Sequence, residues 1–203
     1  MKKVYLIAMV FCTSLYISCE SKKERHEVAE PEYISPNAEF EEDLGISGIV
    51  ISSNNSQVSL LTESGDSCSF SIESALENKM VFGGINQDDQ VLVIPGLQGV
   101  ADKLYNITTL MGRWVRKNVA DEDSGLELRL GGTCRSINSD TQSYQSWEMN
   151  GDRLLLTWVS DGSGSTSQIT DTCEIEKLTK DSLSLVFHYS GETPQHNLYI
   201  RQK

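Results

Sequence analysis

The chain has 203 residues, 38% apolar and 7% aromatic, which gives room for one or two small domains with an ordinary core. Its 29 acids outnumber its 17 Lys and Arg residues and give a formal net charge of −12, with no basic cluster longer than Lys22-Lys23. That balance repels nucleic acid and anionic lipid surfaces, and it excludes nucleic acid as a partner.

The first stretch reads as an address. Lys2-Lys3 precede an apolar run from Val4 to Tyr16, 13 residues and too short to span a bilayer as a helix. The run ends in Leu15-Tyr16-Ile17-Ser18-Cys19. A small residue directly before a cysteine, just after a signal core, resembles the lipobox of bacterial lipoproteins. One position departs from it: Tyr16 stands where leucine is usual, with Leu15 one step early. The resemblance implies that residues 1–18 are a signal peptide and that Cys19 is the lipid attachment site, acylated on thiol and amine, with palmitate among the chains. It places the protein in the cell envelope, anchored to the outer membrane on its periplasmic or outer face. The plainer alternative is a secretory signal with an incidental cysteine. Acyl chains at about 0.8 kcal/mol per buried methylene hold such a protein on a membrane stably.

Residues 19–43 follow as an acidic tether. The stretch holds Pro31, Pro36 and nine acids from Glu20 to Asp43, few apolar residues and no period. It cannot offset its own ordering entropy and reads as a disordered spacer.

Residues 44–107 read as a small β domain. Strands are expected over Ile46–Ile51, Val58–Thr62, Ser67–Ile72, Val91–Ile94 and Ala101–Ile107, with turns at Asn54-Asn55 and Ser64-Gly65-Asp66 and one helical turn over Ser74–Lys79. Five short strands in so few residues predict a small barrel of OB or SH3 type. Lys79 and Lys103 are nearly its only bases, so a packing or spacer role fits better than oligomer binding. Cys68 reads as a core thiol.

Residues 108–203 hold eight further strands and no helix. Leu126, Leu128 and Leu130 alternate inward with Glu127 and Arg129 outward, and Gly131-Gly132 allows a bend. Asn150-Gly151 is a hairpin turn. Ser160–Ser167, nearly all Ser, Gly and Asp, reads as a mobile loop. Leu183, Leu185, Phe187 and Tyr189 share a face. Gly112-Arg113-Trp114 opens this half and Tyr199-Ile200-Arg201 closes it. The glycine lets neighbouring strands approach, the Trp114 indole plugs one end, and the Arg201 guanidinium lies on the ring face.

Gly112-Arg113-Trp114, Gly125-Leu126-Glu127-Leu128-Arg129, Ser136-Ile137-Asn138, Tyr144 with Trp147, Asp171-Thr172 and Tyr199-Ile200-Arg201 together resemble the lipocalin-like domains of small bacterial envelope lipoproteins. The fold class expected is therefore all-β: an OB/SH3-like barrel, then a lipocalin-like up-and-down barrel. Similar two-domain envelope lipoproteins that report surface or metal stress carry a Cys-x-x-Cys pair in the barrel. This chain has none, which argues against a copper or redox role.

Cys134 and Cys173 lie in the barrel half. In an oxidising envelope a disulfide between them closes a loop of about 40 residues and contributes about 3–4 kcal/mol; the alternative is two buried free thiols. His26, His188 and His196 are too scattered for a metal site. Ser163 sits in a loop of small residues and not in a strand-to-helix elbow, Asp171 reads as a strand-start or turn residue, and no catalytic constellation or cofactor motif appears. Asp181-Ser182-Leu183 looks like a short O-glycan acceptor but reads as a plain turn. Tyr144, Trp147 and Trp158 are the aromatics placed to contact a ligand; Tyr144 and Trp147, three apart, should face opposite sides. The function expected is a non-enzymatic, lipid-anchored binding protein for a small apolar or amphipathic ligand, or a module that docks another envelope protein or glycan.

Overall fold

A computed structural model describes residues 45–116, 123–139, 142–162 and 165–203. The expected signal peptide, the tether, Cys19, His26 and Ser163 lie outside the described residues.

The first sheet begins as a meander of β1 (Ile46–Ser53), β2 (Gln57–Thr62) and β3 (Ser67–Ser71). Its first turn is set by Asn54, whose side-chain oxygen accepts from the backbone N–H of Ser56 and Gln57, both at 2.8 Å. A short helix α1 (Glu73–Glu77) then leads to β4 (Val81–Phe82), β5 (Gln90–Pro95) and β6 (Ala101–Asn106). The order is β3-β2-β1-β5-β6-β4. β5 returns beside β1, and a parallel bridge between Ser71 and Val100 draws the end of β3 to the start of β6. A meander, a helix and a returning hairpin in that order are the Greek-key path of an OB barrel. Val50, Val58, Leu60, Val91, Val93 and Leu104 fill it, all wholly buried. β4 pairs in parallel with β6 over only two residues, too few to leave a period in the sequence.

The second sheet is an up-and-down barrel. A single helical turn, α2 (Ile107–Leu110), leads into β7 (Gly112–Arg116), β8 (Ser124–Leu128), β9 (Cys134–Ile137) and β10 (Tyr144–Asn150). The long strands β11 (Arg153–Gly162) and β12 (Ser165–Leu178) follow, then β13 (Ser182–Phe187) and β14 (Gln195–Arg201). The order is β10-β11-β12-β13-β14-β7-β8-β9. The last strand pairs with the first through Ile200–Val115 and Arg201–Trp114. Among the described residues, the remaining seam, between β9 and β10, holds a Thr133–Ser146 bridge and hydrogen bonds of Ser136. The Ser136 hydroxyl donates to the Gln142 carbonyl at 2.7 Å and accepts from the Tyr144 N–H at 2.9 Å. Leu154, Leu156, Leu183 and Leu185 are wholly buried inside, each contributing about 1.5–3 kcal/mol by leaving water.

Asn106 joins the two sheets. It is wholly buried, its oxygen caps α2 by accepting from Thr109 N–H at 2.7 Å, and its amide donates to Gly84 O and to the Asp89 carboxylate.

Four expectations need correction. The Ser160–Ser167 loop is mostly ladder: Ser160 pairs with Ser167, Asp161 with Thr166 and Gly162 with Ser165, so the polar run forms the tip of a long hairpin. Leu130 is 75% exposed and not inward, because β8 ends at Leu128 and the chain turns at Gly131 with φ 77°. α2, at the threshold of the barrel half, supplies a helical turn where none was expected. Tyr144 and Trp147 face the same side, both buried, because a bulge between Tyr144 and Ser146 shifts the register by one residue.

Candidate functional site: the open end of the barrel

One end of the eight-stranded barrel is shut. Trp114 is wholly buried, its indole N–H donates to Leu110 O at 2.8 Å, and the Arg201 guanidinium lies over its ring, 4.1 Å from the centroid. Arg201 also donates to the carbonyls of Met111, Lys180 and Thr109, which ties α2 and the β12–β13 turn to the last strand. Gly112 makes this possible: its φ is +141°, and a Cβ there would stand 2.1 Å from Arg201 Nη1.

The other end is open, and the gradient is visible strand by strand. On β12 the inward series runs from exposed Ser167 and Ile169 through half-buried Asp171 to buried Cys173 and Ile175. On β11 it runs from half-buried Ser160 and Trp158 to buried Leu156 and Leu154. On β14 exposed Gln195 and half-buried Asn197 precede buried Tyr199, and just beyond β13 half-buried Tyr189 follows buried Phe187. Ile169 is 36% exposed although it faces inward beside Trp158. The interior is packed at the Trp114 end and opens as a bowl toward the opposite rim, where inward side chains meet solvent.

Polar groups lie at two places on the barrel wall, one on β10 and β12 and one on β7 and β14. Tyr144 Oη donates to the Asp171 carboxylate at 2.6 Å, and Gln142 reaches the same oxygen at 3.5 Å. Burial, reinforced by the Asp171 carboxylate, pushes the Tyr144 phenol well above its ordinary value. Burial pushes Tyr199 up to about 12 despite the opposing charge of Arg116, and also raises Tyr189. Arg116 lies 5.8 Å from the centre of the Tyr199 ring and donates to Asn197 Oδ1 at 2.7 Å. Among the described residues, Arg116 Nε and Trp158 Nε1 are buried donors with no hydrogen-bond partner.

The expected site residues therefore separate. Gly112, Trp114 and Arg201 form the floor of the shut end. Tyr144 and Trp158 line the open end. Trp147 fills the β9–β10 seam, its indole donating to Arg129 O at 2.9 Å. Cys134 and Cys173 are not joined; both are buried thiols, and Cys173 Sγ donates to Leu154 O at 3.3 Å. Their strands are not neighbours: Cys134 faces Leu128, and Cys173 faces Leu154 and Phe187. Burial raises both thiols, Cys134 to about 12. Asp171 is neither strand start nor turn; it lies within β12 and faces the bowl. His188 and His196 sit on the outer face, paired separately with Glu174 at 3.1 Å and Glu176 at 3.4 Å. Among the described residues no group of three or more His, Cys, Asp or Glu side chains could hold a metal ion. Sequence reasoning missed Arg116. Its signal was its place two residues after Trp114, hence on the same strand face.

A family model described as lipocalin-like matches residues 106–202. The crystal structure of a lipocalin-like protein from Bacteroides thetaiotaomicron VPI-5482, at 1.95 Å resolution, is 35% identical over 46% of this chain and 97% of its own, with a TM-score of 0.38. No curated protein matches the chain. Residues 106–202, from the cap of α2 to the end of β14, are a lipocalin-like domain.

Proposed function

We propose that this is a lipid-anchored cell-envelope protein, held on the outer membrane through Cys19, whose barrel binds a small amphipathic ligand without catalysing a reaction. The observation that carries the binding part is the graded bowl: inward side chains are buried near the Trp114 floor and become exposed at Ile169 and half-exposed at Trp158 and Tyr189 toward the opposite rim. An apolar floor with a polar-aromatic rim suits a molecule with one apolar and one polar end. The anchor rests on the charged start, the short apolar run and Cys19. A titration of the purified protein with short-chain amphiphiles, followed by calorimetry, tests the binding part; saturable one-to-one heat supports it, and no saturable heat at millimolar ligand removes it.

The docking alternative has one observation in its favour. On the outer face of the first sheet Ile49 and Leu61 are direct cross-strand partners, 40% and 43% exposed, with Ile51 beside them at 45%. Ile49→Ser with Leu61→Ser should abolish crosslinks to a partner in intact cells if that surface docks one.

A further inference from the structure

A cleft of about 480 Å³ lies between β4, at the end of the first sheet, and the outer wall of the barrel. Val81 and Phe82 line one side, Leu178 and Leu198 the other. Among the described residues β4 pairs with one strand, β6, through Val81–Leu104 and Phe82–Tyr105, so its opposite edge is open. Two backbone bonds say which groups lie on that edge. Met80 O accepts from Leu104 N–H at 2.9 Å, which turns the polar groups of residues 80 and 82 toward β6. Gly83 N–H donates to Leu178 O at 3.0 Å, on the other side, toward β12. Backbone groups alternate between the two edges along a strand, so the Val81 N–H and C=O point into the cleft with those of Gly83. The Val81 side chain packs into the core of the first sheet, which leaves its backbone as what it offers there. An open strand edge is a template for pairing with another extended chain.

The walls of the cleft add two preferences. Leu198 is 57% exposed on β14 and offers a seat for an apolar side chain. Lys79 and Lys177 stand exposed on the lining, and among the described residues neither has an ion-pair partner. The third charge of the lining, Glu176, is already engaged: it accepts from the Ser184 hydroxyl at 2.8 Å and meets His196 at 3.4 Å. In a chain of net charge −12, two unpaired cations beside an unused strand edge favour an acidic partner over a basic one.

We infer that this cleft receives an extended, acidic segment of another protein. The segment adds a strand to β4 through Val81, sets an apolar side chain against Leu198 and meets Lys79 and Lys177 with its carboxylates. The site is separate from the bowl and does not depend on a ligand there.

The test uses three capped heptapeptides on the full-length protein. One alternates valine and glutamate, the second has lysine in place of glutamate, and the third is the glutamate peptide N-methylated throughout, which keeps the side chains and removes the ladder donors. Calorimetry reads binding and amide hydrogen exchange reads its place. The glutamate peptide should bind one to one and slow exchange of the Val81 amide about tenfold or more. The lysine peptide should bind about fivefold or more weakly, as two exposed ion pairs allow, and the N-methylated peptide should not bind. Lys79→Glu with Lys177→Glu should invert the preference between the first two. Val81→Pro removes the outward N–H on an edge strand, where proline is tolerated, and should lose the glutamate peptide. The lysine reversal keeps the inference testable if Val81→Pro fails to fold. Equal binding of the three peptides, or binding without protection of Val81, would overturn the inference. Absence of saturable binding at millimolar peptide would overturn it too and leave the bowl reading standing.

Discussion

Arg201 performs with one planar side chain what several residues would otherwise share. It covers the Trp114 ring and satisfies three carbonyls from two separate turns. Lysine keeps the charge but has no flat fork to stack and bond at once. Arg201→Lys should therefore lower the free energy of unfolding by about 2–3 kcal/mol in urea titration, and Gly112→Ala should do comparable damage, since its methyl enters the guanidinium's place and its φ is strained. An Arg201→Lys variant with unchanged stability would mean that the shut end is held by Trp114 packing alone. The same reasoning covers Asn106, whose loss leaves a helix cap, a glycine carbonyl and a carboxylate short of their partner at a wholly buried point. Asn106→Ala should cost about 2 kcal/mol or more by the same measurement.

Among the elements, the first sheet meets the barrel's β10–β11 turn through an ion pair. Lys103 on β6 pairs with Asp152, which also meets Arg153 at 3.2 Å. Burial alone would raise the Asp152 carboxyl, but the hydrogen bond and charge of Lys103, with Arg153, outweigh it and hold the value below the ordinary one. A depressed carboxyl contributes stability above its unfolded value, about 4, and loses it as pH falls through the folded value. Thermal melts should therefore drop in acid, and Lys103→Met should flatten part of that drop; an unchanged profile would mean that the pair is open in solution. The two barrel thiols give a second check. Cys134 and Cys173 should resist alkylation in the native state and react after unfolding, and protection from alkylation in the unfolded, unreduced protein would mean that they had bonded. Legibility in the sequence follows the same lines. All eight barrel strands and five of the first sheet's six were legible because each is an alternating or continuous apolar run between turn residues. The phase of β10 was not, because one bulge moves Trp147 to the inner face without altering composition. The Ser160–Ser167 hairpin was hidden because polar, glycine-rich sequence reads as loop, although a ladder bonds through the backbone. The shut end was legible in Gly112, Trp114 and Arg201. The open end was not, because Arg116 is an isolated base whose partners, Asn197 and Tyr199, lie on β14, far along the chain.

At the scale of the whole molecule the proposal joins a membrane tether to a bowl. Cys19→Ser should move the protein from the membrane fraction to the soluble fraction of cells and abolish palmitate labelling, with the melting temperature of the folded part unchanged; membrane retention of that variant would remove the anchor. The bowl itself is tested most directly by its three indoles. Their N–H resonances report the shut end (Trp114), the seam (Trp147) and the open end (Trp158) separately. In a titration with a short-chain amphiphile such as octanol followed by NMR, the indole resonance of Trp158, at the open end, should shift and saturate, while Trp114 and Trp147, already bonded to Leu110 O and Arg129 O, stay in place. A Trp114 resonance that moves while Trp158 remains still would contradict the orientation of the barrel on which the account stands.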